Sequence, residues 1–237
     1  LDCLRELGVM ISRDRGNTSQ ISIEGRSGML HEPQLMLDAG NSGTTMRLLA
    51  GILCGQPFTS IISGDSSLNS RPMGRIINPL RLMGANISGQ QSNLTAPLRI
   101  IGGQLKGIDY HMPIASAQIK SSILLAGLFA DGETQIHEPS HSRDHTERML
   151  KALGVDISIT NDGVKLQPGT YNNSNFDIPG DLSSAAFWLV AGAIHPNAKI
   201  TVTNVGVNPT RTGILDVLKE MGAKIDVHNL SDDGWEP

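Results

Sequence analysis

The chain has 237 residues, 39% of them hydrophobic and 18% charged, with a formal net charge of −4. That balance excludes a disordered polymer, and it lacks the basic footprint of a nucleic-acid binder. No apolar run of about 18 residues occurs, so no membrane partner is expected. Aromatic residues make up only 3%, which leaves the core to Leu, Ile, Val, Met and Ala. Cys3 and Cys54 have no metal-ligand spacing and read as free thiols of a reducing, cytoplasmic setting.

The first predicted element is a helix end followed by a glycine and a strand, Leu4-Arg5-Glu6-Leu7-Gly8-Val9. It starts mid-helix, without an initiator Met or signal peptide, and the far end stops just after a strand-like segment; both ends are expected to be cuts. The same phrase returns as Leu80-Arg81-Leu82-Met83-Gly84-Ala85, Leu150-Lys151-Ala152-Leu153-Gly154-Val155 and Leu218-Lys219-Glu220-Met221-Gly222-Ala223. The glycines stand roughly 70 positions apart, a longer period than solenoid repeats have. Each occupies the position after a helix where a left-handed backbone is needed. The residues after each glycine alternate, so Val155 to Ile159 and Ala223 to Val227 are predicted as half-buried strands.

Interleaved with this phrase is a second, a polar helix start leading into an apolar helix that ends in Ala-Gly. Its copies run from Asn41-Ser42-Gly43-Thr44-Thr45 to Gly51, from Ser116-Ala117-Gln118 to Gly127, and from Asp181-Leu182-Ser183-Ser184 to Gly192. Helices apolar nearly all round are expected to be buried. The chain therefore reads as α/β, in repeated units that close around buried helices with strands outside.

A helix start presents free N–H groups and partial positive charge, which together bind anions. Either these three starts converge on one anion site, or their small polar residues are simply N-caps. Arg47, Arg71 and Arg143 lie near such starts, where a guanidinium grips a carboxylate or phosphate with paired hydrogen bonds. Lys120 and Arg211 read as weaker candidates. His141 and His145 stand four apart beside Asp144 and Glu147, but without HExxH or a nearby Cys no metal is expected. Neither a Walker A sequence nor GxGxxG occurs, so no cofactor is implied.

Five motifs in order now resemble one family. The segment Asp38-Ala39-Gly40-Asn41-Ser42-Gly43-Thr44-Thr45-Met46-Arg47 resembles the GNxGTxxR segment of the 5-enolpyruvylshikimate-3-phosphate synthases. Arg71-Pro72-Met73 with Pro79 to Ala85, Ala115 to Ser121, Ser142 to Leu150 and Pro179 to Phe187 resemble further segments of that family, Ser142 to Leu150 in a form typical of its class II bacterial branch. The resemblance implies an enolpyruvyl transferase fold: βαβαββ units around buried parallel helices, an inside-out α/β barrel, in two domains. Residues 1–176 would form a nearly complete first domain and 177–237 a portion of a second. Apolar surface on that portion would favour dimerisation or disorder.

The implied reaction moves the enolpyruvyl group of phosphoenolpyruvate to the 5-hydroxyl of shikimate 3-phosphate. By matching motif, Gly43, Arg47, Arg71 and Gln118 would meet phosphoenolpyruvate. Thr44, Ser116, Ala117, Gln118, Ser142 and Arg143 would hold shikimate 3-phosphate, with Arg143 on the phosphate and Gln118 on a ring hydroxyl. Gly43 also lies where glyphosate competes. The family's PGDKS-type segment and later acid–base residues have no match, so the catalytic acid and base stay unassigned and the chain is expected to bind without turnover. The alternatives are a binding half-module and a UDP-N-acetylglucosamine enolpyruvyl transferase; the latter would carry a cysteine loop near the phosphoenolpyruvate site.

Overall fold

A computed structural model describes residues 1–13, 21–90, 92, 94–169, 171, 172, 174–230 and 235–237. In chain order these form α1 (Asp2–Glu6), β1 (Met10–Arg13), β2 (Ile21–Glu24), β3 (Leu37–Asp38), α2 (Gly43–Cys54), β4 (Thr59–Ser63), α3 (Ser66–Asn69), α4 (Gly74–Leu82), β5 (Asn86–Gln90) and β6 (Thr95–Ile101). They continue with β7 (Leu105–Lys106), β8 (Asp109–His111), α5 (Ala117–Gly127), β9 (Ala130–Asp131), β10 (Thr134–His137), α6 (His145–Ala152), β11 (Ile157–Thr160), β12 (Gly163–Leu166), α7 (Leu182–Ile194) and α8 (Gly213–Glu220). No described helix is long and apolar enough to cross a membrane.

Two four-stranded sheets carry the architecture, in the orders β3-β4-β6-β5 and β11-β12-β10-β8, with β1-β2 and β7-β9 as small pairs. Each large sheet mixes one parallel pair, β3/β4 or β8/β10, with antiparallel neighbours. The sheets stay separate, and no closed barrel forms among the described residues.

Between the sheets lie α2 and α5. Met46, Leu49, Ala50 and Leu53 of α2 join Ile119, Ile123, Leu124 and Ala126 of α5 in one buried cluster. Ile76, Ile77 and Leu80 of α4, Leu98 and Ile100 of β6, and Ile136 and Leu166 of the second sheet complete it. Two helices this apolar gain most by hiding their whole circumference. Their backbones come into contact at Gly51, where an added Cβ would collide with the Ser122 carbonyl oxygen.

All four repeated glycines adopt the left-handed conformation, with φ of 82° at Gly8, 92° at Gly84, 77° at Gly154 and 92° at Gly222. Each copy closes with the same pair of bonds. Val9, Ala85, Val155 and Ala223 donate N–H to the carbonyls of Leu4, Leu80, Leu150 and Leu218 at 2.9–3.0 Å. The glycine N–H groups donate to Arg5, Arg81, Lys151 and Lys219 at 2.9 Å. This is the Schellman closure, which ends each helix and reverses the chain direction at its glycine.

Two expectations fail beyond residue 176. Ala223 to Val227 is not a strand: a strand exists through its ladder to a neighbour, and the described residues offer none there. The one bridge nearby joins Gly180 to Val205. The third apolar helix, α7, is not buried, since Phe187 is 80% exposed, Trp188 63% and Ile194 78%. Its inner side packs through Leu182, Ala185 and the partly buried Leu189 against Leu215 and its neighbours, in a small cluster separate from the main core.

Substituting Gly51→Ala should lower the urea-unfolding free energy by about 1–3 kcal/mol, because the added methyl overpacks a site where α2 and α5 are already in backbone contact and forces them apart.

Candidate functional site

The start of α2 is held by its own side chains. The Thr45 N–H donates to Ser42 Oγ at 3.1 Å, as an N-cap does. Arg47, one turn on, donates from Nη1 to Gln118 Oε1 at 2.6 Å. Gln118 Nε2 donates to Thr44 Oγ1 at 2.8 Å. One amide thus ties the start of α2 to the start of α5. Arg71 joins from the loop before α4, donating weakly to Asn41 Oδ1 at 3.4 Å, while Asn41 donates to Asp65 at 2.6 Å. Asp65 also caps α3.

Arg47 is unusually placed for a cation. Burial pulls its pKa below the ordinary guanidinium value, and the charges of Arg71 and Arg75 push the same way. Two guanidiniums gathered at a part-buried point, with a third cation nearby, make a field that an anion relieves. Gly43 sits at that point: an added Cβ would lie 2.8 Å from Arg47 Nη1 and 3.4 Å from Arg71 Nη1.

The start of α5 differs from that of α2. Its N-cap, Ser116, makes no capping bond with its side chain, and it opens into a cavity of about 530 Å³. Ala115, Ala117, Gln118, His141, Ser142, Arg143 and Thr210 line the rest. Gln118 therefore belongs to both groups: with Ser116, Ala117, Ser142 and Arg143 it lines the cavity, and through its amide it bonds Arg47 and Thr44, beside Gly43 and Arg71. The third helix start does not join. Asp181 caps α7 through Ser183 and Ser184 and binds Arg211 at 2.7 Å, beside a separate cavity of about 380 Å³ lined by Met149, Ile178 and Trp235. The N-cap reading holds for α2 and α7, and of these three helices α5 presents the uncapped start.

Behind the cavity lies a charge cluster that motif spacing ranked low. Lys120 is 2% exposed and pairs with Glu138 at 2.7 Å and Glu147 at 2.5 Å. Glu138 in turn accepts from Ser142 Oγ at 2.5 Å, so the lysine braces the cavity wall. Burial raises the Glu147 pKa, with Lys120 opposing, and Glu147 Oε2 has no hydrogen-bond partner. Further carboxylates, on the side toward the second cavity, are occupied as well. Asp144 accepts from Arg148 at 2.8 Å and from Asn208 at 2.7 Å, while Glu236 accepts from Asn208 at 2.9 Å and meets His145 at 2.6 Å. Burial would raise the Asp144 pKa, but the bonds from Asn208 and Arg148 hold it below the usual range.

His141 and His145 do not meet as metal ligands: one lines the cavity and the other binds Glu236. The described residues instead bring Asp109, His111 and His137 together. Sequence reading missed Thr210 and Asn208, which approach from a distant segment, and no local pattern marks them.

Along residues 1–235 the chain matches the protein family described as EPSP synthase (3-phosphoshikimate 1-carboxyvinyltransferase). It is 52% identical over 240 residues to the 3-phosphoshikimate 1-carboxyvinyltransferase of Geobacillus kaustophilus, covering 100% of this chain and 55% of that protein. The Bacillus subtilis enzyme of that name is 51% identical over 239 residues, with 100% and 55% covered. The solved EPSP synthase of Acinetobacter baumannii superposes with a TM-score of 0.90 at 47% identity, over 100% of this chain and 53% of that one. The chain spans about half the length of these relatives.

Replacing Lys120 by Met should cost about 3–5 kcal/mol at neutral pH, since it strands two buried carboxylates. Folding favours the protonated form of Glu147, so its contribution to stability is full below the ordinary value of 4.5 and is lost as pH rises through the folded value. The Lys120→Met deficit should therefore shrink on acidification, and Glu147→Gln should flatten that trend in urea unfolding.

Proposed function

The chain belongs to the EPSP synthase family, and from that membership and the geometry of the cleft we propose that the protein transfers the enolpyruvyl group of phosphoenolpyruvate to the 5-hydroxyl of shikimate 3-phosphate. The observation that carries this reading is the Thr44–Gln118–Arg47 bridge, which joins a guanidinium-rich point to a cavity with an uncapped helix start. Arg47 and Arg71, beside Gly43, suit the carboxylate and phosphate of phosphoenolpyruvate. Arg143, with no ion pair among the described residues, suits the phosphate of the acceptor, and Ser116, Ser142 and the Ala117 N–H suit its remaining oxygens. Gln118 lies between, within reach of both substrates.

The reaction needs a proton delivered to the phosphoenolpyruvate methylene and one removed from the attacking hydroxyl. Glu138, Glu147, Asp144 and Glu236 each hold a cation, hydroxyl or amide already. On that basis this chain alone binds substrate without turnover, residues 1–176 forming the binding domain and 177–237 the start of a second. The bare face of α7 supports self-association of the isolated chain, and the two free, buried thiols support a cytoplasmic setting. A cysteine-dependent transferase is disfavoured, because burial pushes the Cys54 thiol up to about 12, far from a reactive thiolate.

Titrating the chain with shikimate 3-phosphate by calorimetry tests the reading. Binding should occur, and Arg143→Ala should weaken it by about 10–100-fold, the worth of a charged hydrogen bond. Binding untouched by Arg143→Ala would overturn it. Gly43→Ala in the full-length enzyme should raise KM for phosphoenolpyruvate more than that for shikimate 3-phosphate, because the new methyl displaces Arg47 and Arg71 and leaves Arg143 alone.

A further inference from the structure

We propose that Asp109, His111 and His137 form a binding site for one divalent transition-metal ion of the zinc class. The three residues come from two strands distant in sequence that pair in parallel, with His111 opposite His137 and Asp109 opposite Gln135. Asp109 lies two residues before His111, so strand alternation puts both on the same face. One donor atom from each residue falls within 4.8 Å of the other two. In a tetrahedral site with metal–ligand bonds of about 2.0–2.1 Å, donors stand about 3.3 Å apart, so closing the set takes ~1.5 Å at most.

Two details favour an ion over a settled hydrogen-bonded cluster. Asp109 Oδ1 lies 2.9 Å from His137 Nε2, yet that nitrogen is buried and has no hydrogen-bond partner of acceptable geometry. The carboxylate is close but out of line, and the ring nitrogen remains unused. The His111 and His137 rings also stack face to face, with centroids 4.1 Å apart and planes within 5°. Parallel rings aim their lone pairs side by side, so one ring must swing for both to reach a common ion. His111 is exposed and has room to do so.

The donor set selects the ion. Two imidazoles and one carboxylate suit zinc, nickel, cobalt or copper, whereas magnesium and calcium prefer all-oxygen shells. Three protein donors leave a fourth position for water. The site is distinct from the cleft, though joined to it: His137 precedes Glu138, which holds Ser142, and the Met112 N–H donates to the His137 carbonyl at 2.9 Å.

Calorimetric titration of the intact chain with zinc chloride, with magnesium chloride in parallel, tests the site at about pH 7.5, above the ordinary imidazole pKa. One zinc and no magnesium should bind. His111→Ala and His137→Ala should each weaken zinc by about tenfold or more, since even outer-shell partners of a metal are worth about that much. A His141→Ala/His145→Ala double variant should bind zinc as the parent does. No variant is needed for the second readout: stoichiometric copper(II) should broaden the NMR signals of His111 and His137 first. Absence of zinc binding, affinity undiminished in His111→Ala, or loss confined to the His141/His145 variant would each overturn the proposal.

Discussion

Everything in the cleft depends on how closely α2 and α5 approach. Gln118 reaches both Arg47 and Thr44 only because the helix backbones touch one and two turns further along, where Gly51 meets Ser122. A side chain at Gly51 would separate the helices, and an amide spans no gap of that size. The apolar circumference of the two helices supplies the driving force for contact, and the missing Cβ sets its distance. A polar link between two helix starts is thus fixed by packing in the core.

Charge is layered around that contact. In front stand Arg47, Arg71 and Arg75, close enough to depress the Arg47 pKa. Behind stands Lys120, enclosed by Glu138 and Glu147. The two layers are not equivalent. A buried lysine between two carboxylates is satisfied, whereas among the described residues the guanidiniums in front have only Asp65, near Arg71, to offset them and are an unfinished arrangement. The rear layer braces the wall that carries Ser142; the front layer keeps a positive field.

Some of this was legible in the chain and some was not. Gly8, Gly84, Gly154 and Gly222 could be read because a Schellman closure is local: its bonds span six residues and its glycine is nearly obligatory. Burial of α2 and α5 could be read because a helix with no polar face has no other stable place. The same reasoning misjudged α7, since burial also needs a partner, and a sequence of apolar residues does not say whether one is present. Ala223 to Val227 failed for the matching reason in a strand. Lys120 reads only as a weak candidate cation, and its structural role stays hidden because nothing in Gln118-Ile119-Lys120 shows that Glu138 and Glu147 lie around it. His111 and His137 stand 26 residues apart and meet only through β8/β10 pairing, a register that no local pattern encodes.

The three apolar helices show how a repeat departs from symmetry at a site. All begin with small polar residues, but they do not end equally free. Ser42 caps α2 and still leaves Thr44 to accept from Gln118. Asp181 caps α7 with two backbone bonds and then binds Arg211, so its start is neutralised from within. Ser116 caps nothing, and the start of α5 stays open beside Arg143. A capping carboxylate would repel a phosphate, while an uncapped start beside a lone guanidinium attracts one. The three copies therefore differ at one equivalent position in what the N-cap side chain does: Ser42 and Asp181 turn back onto their own helices, and Ser116 leaves its helix start open to the cavity.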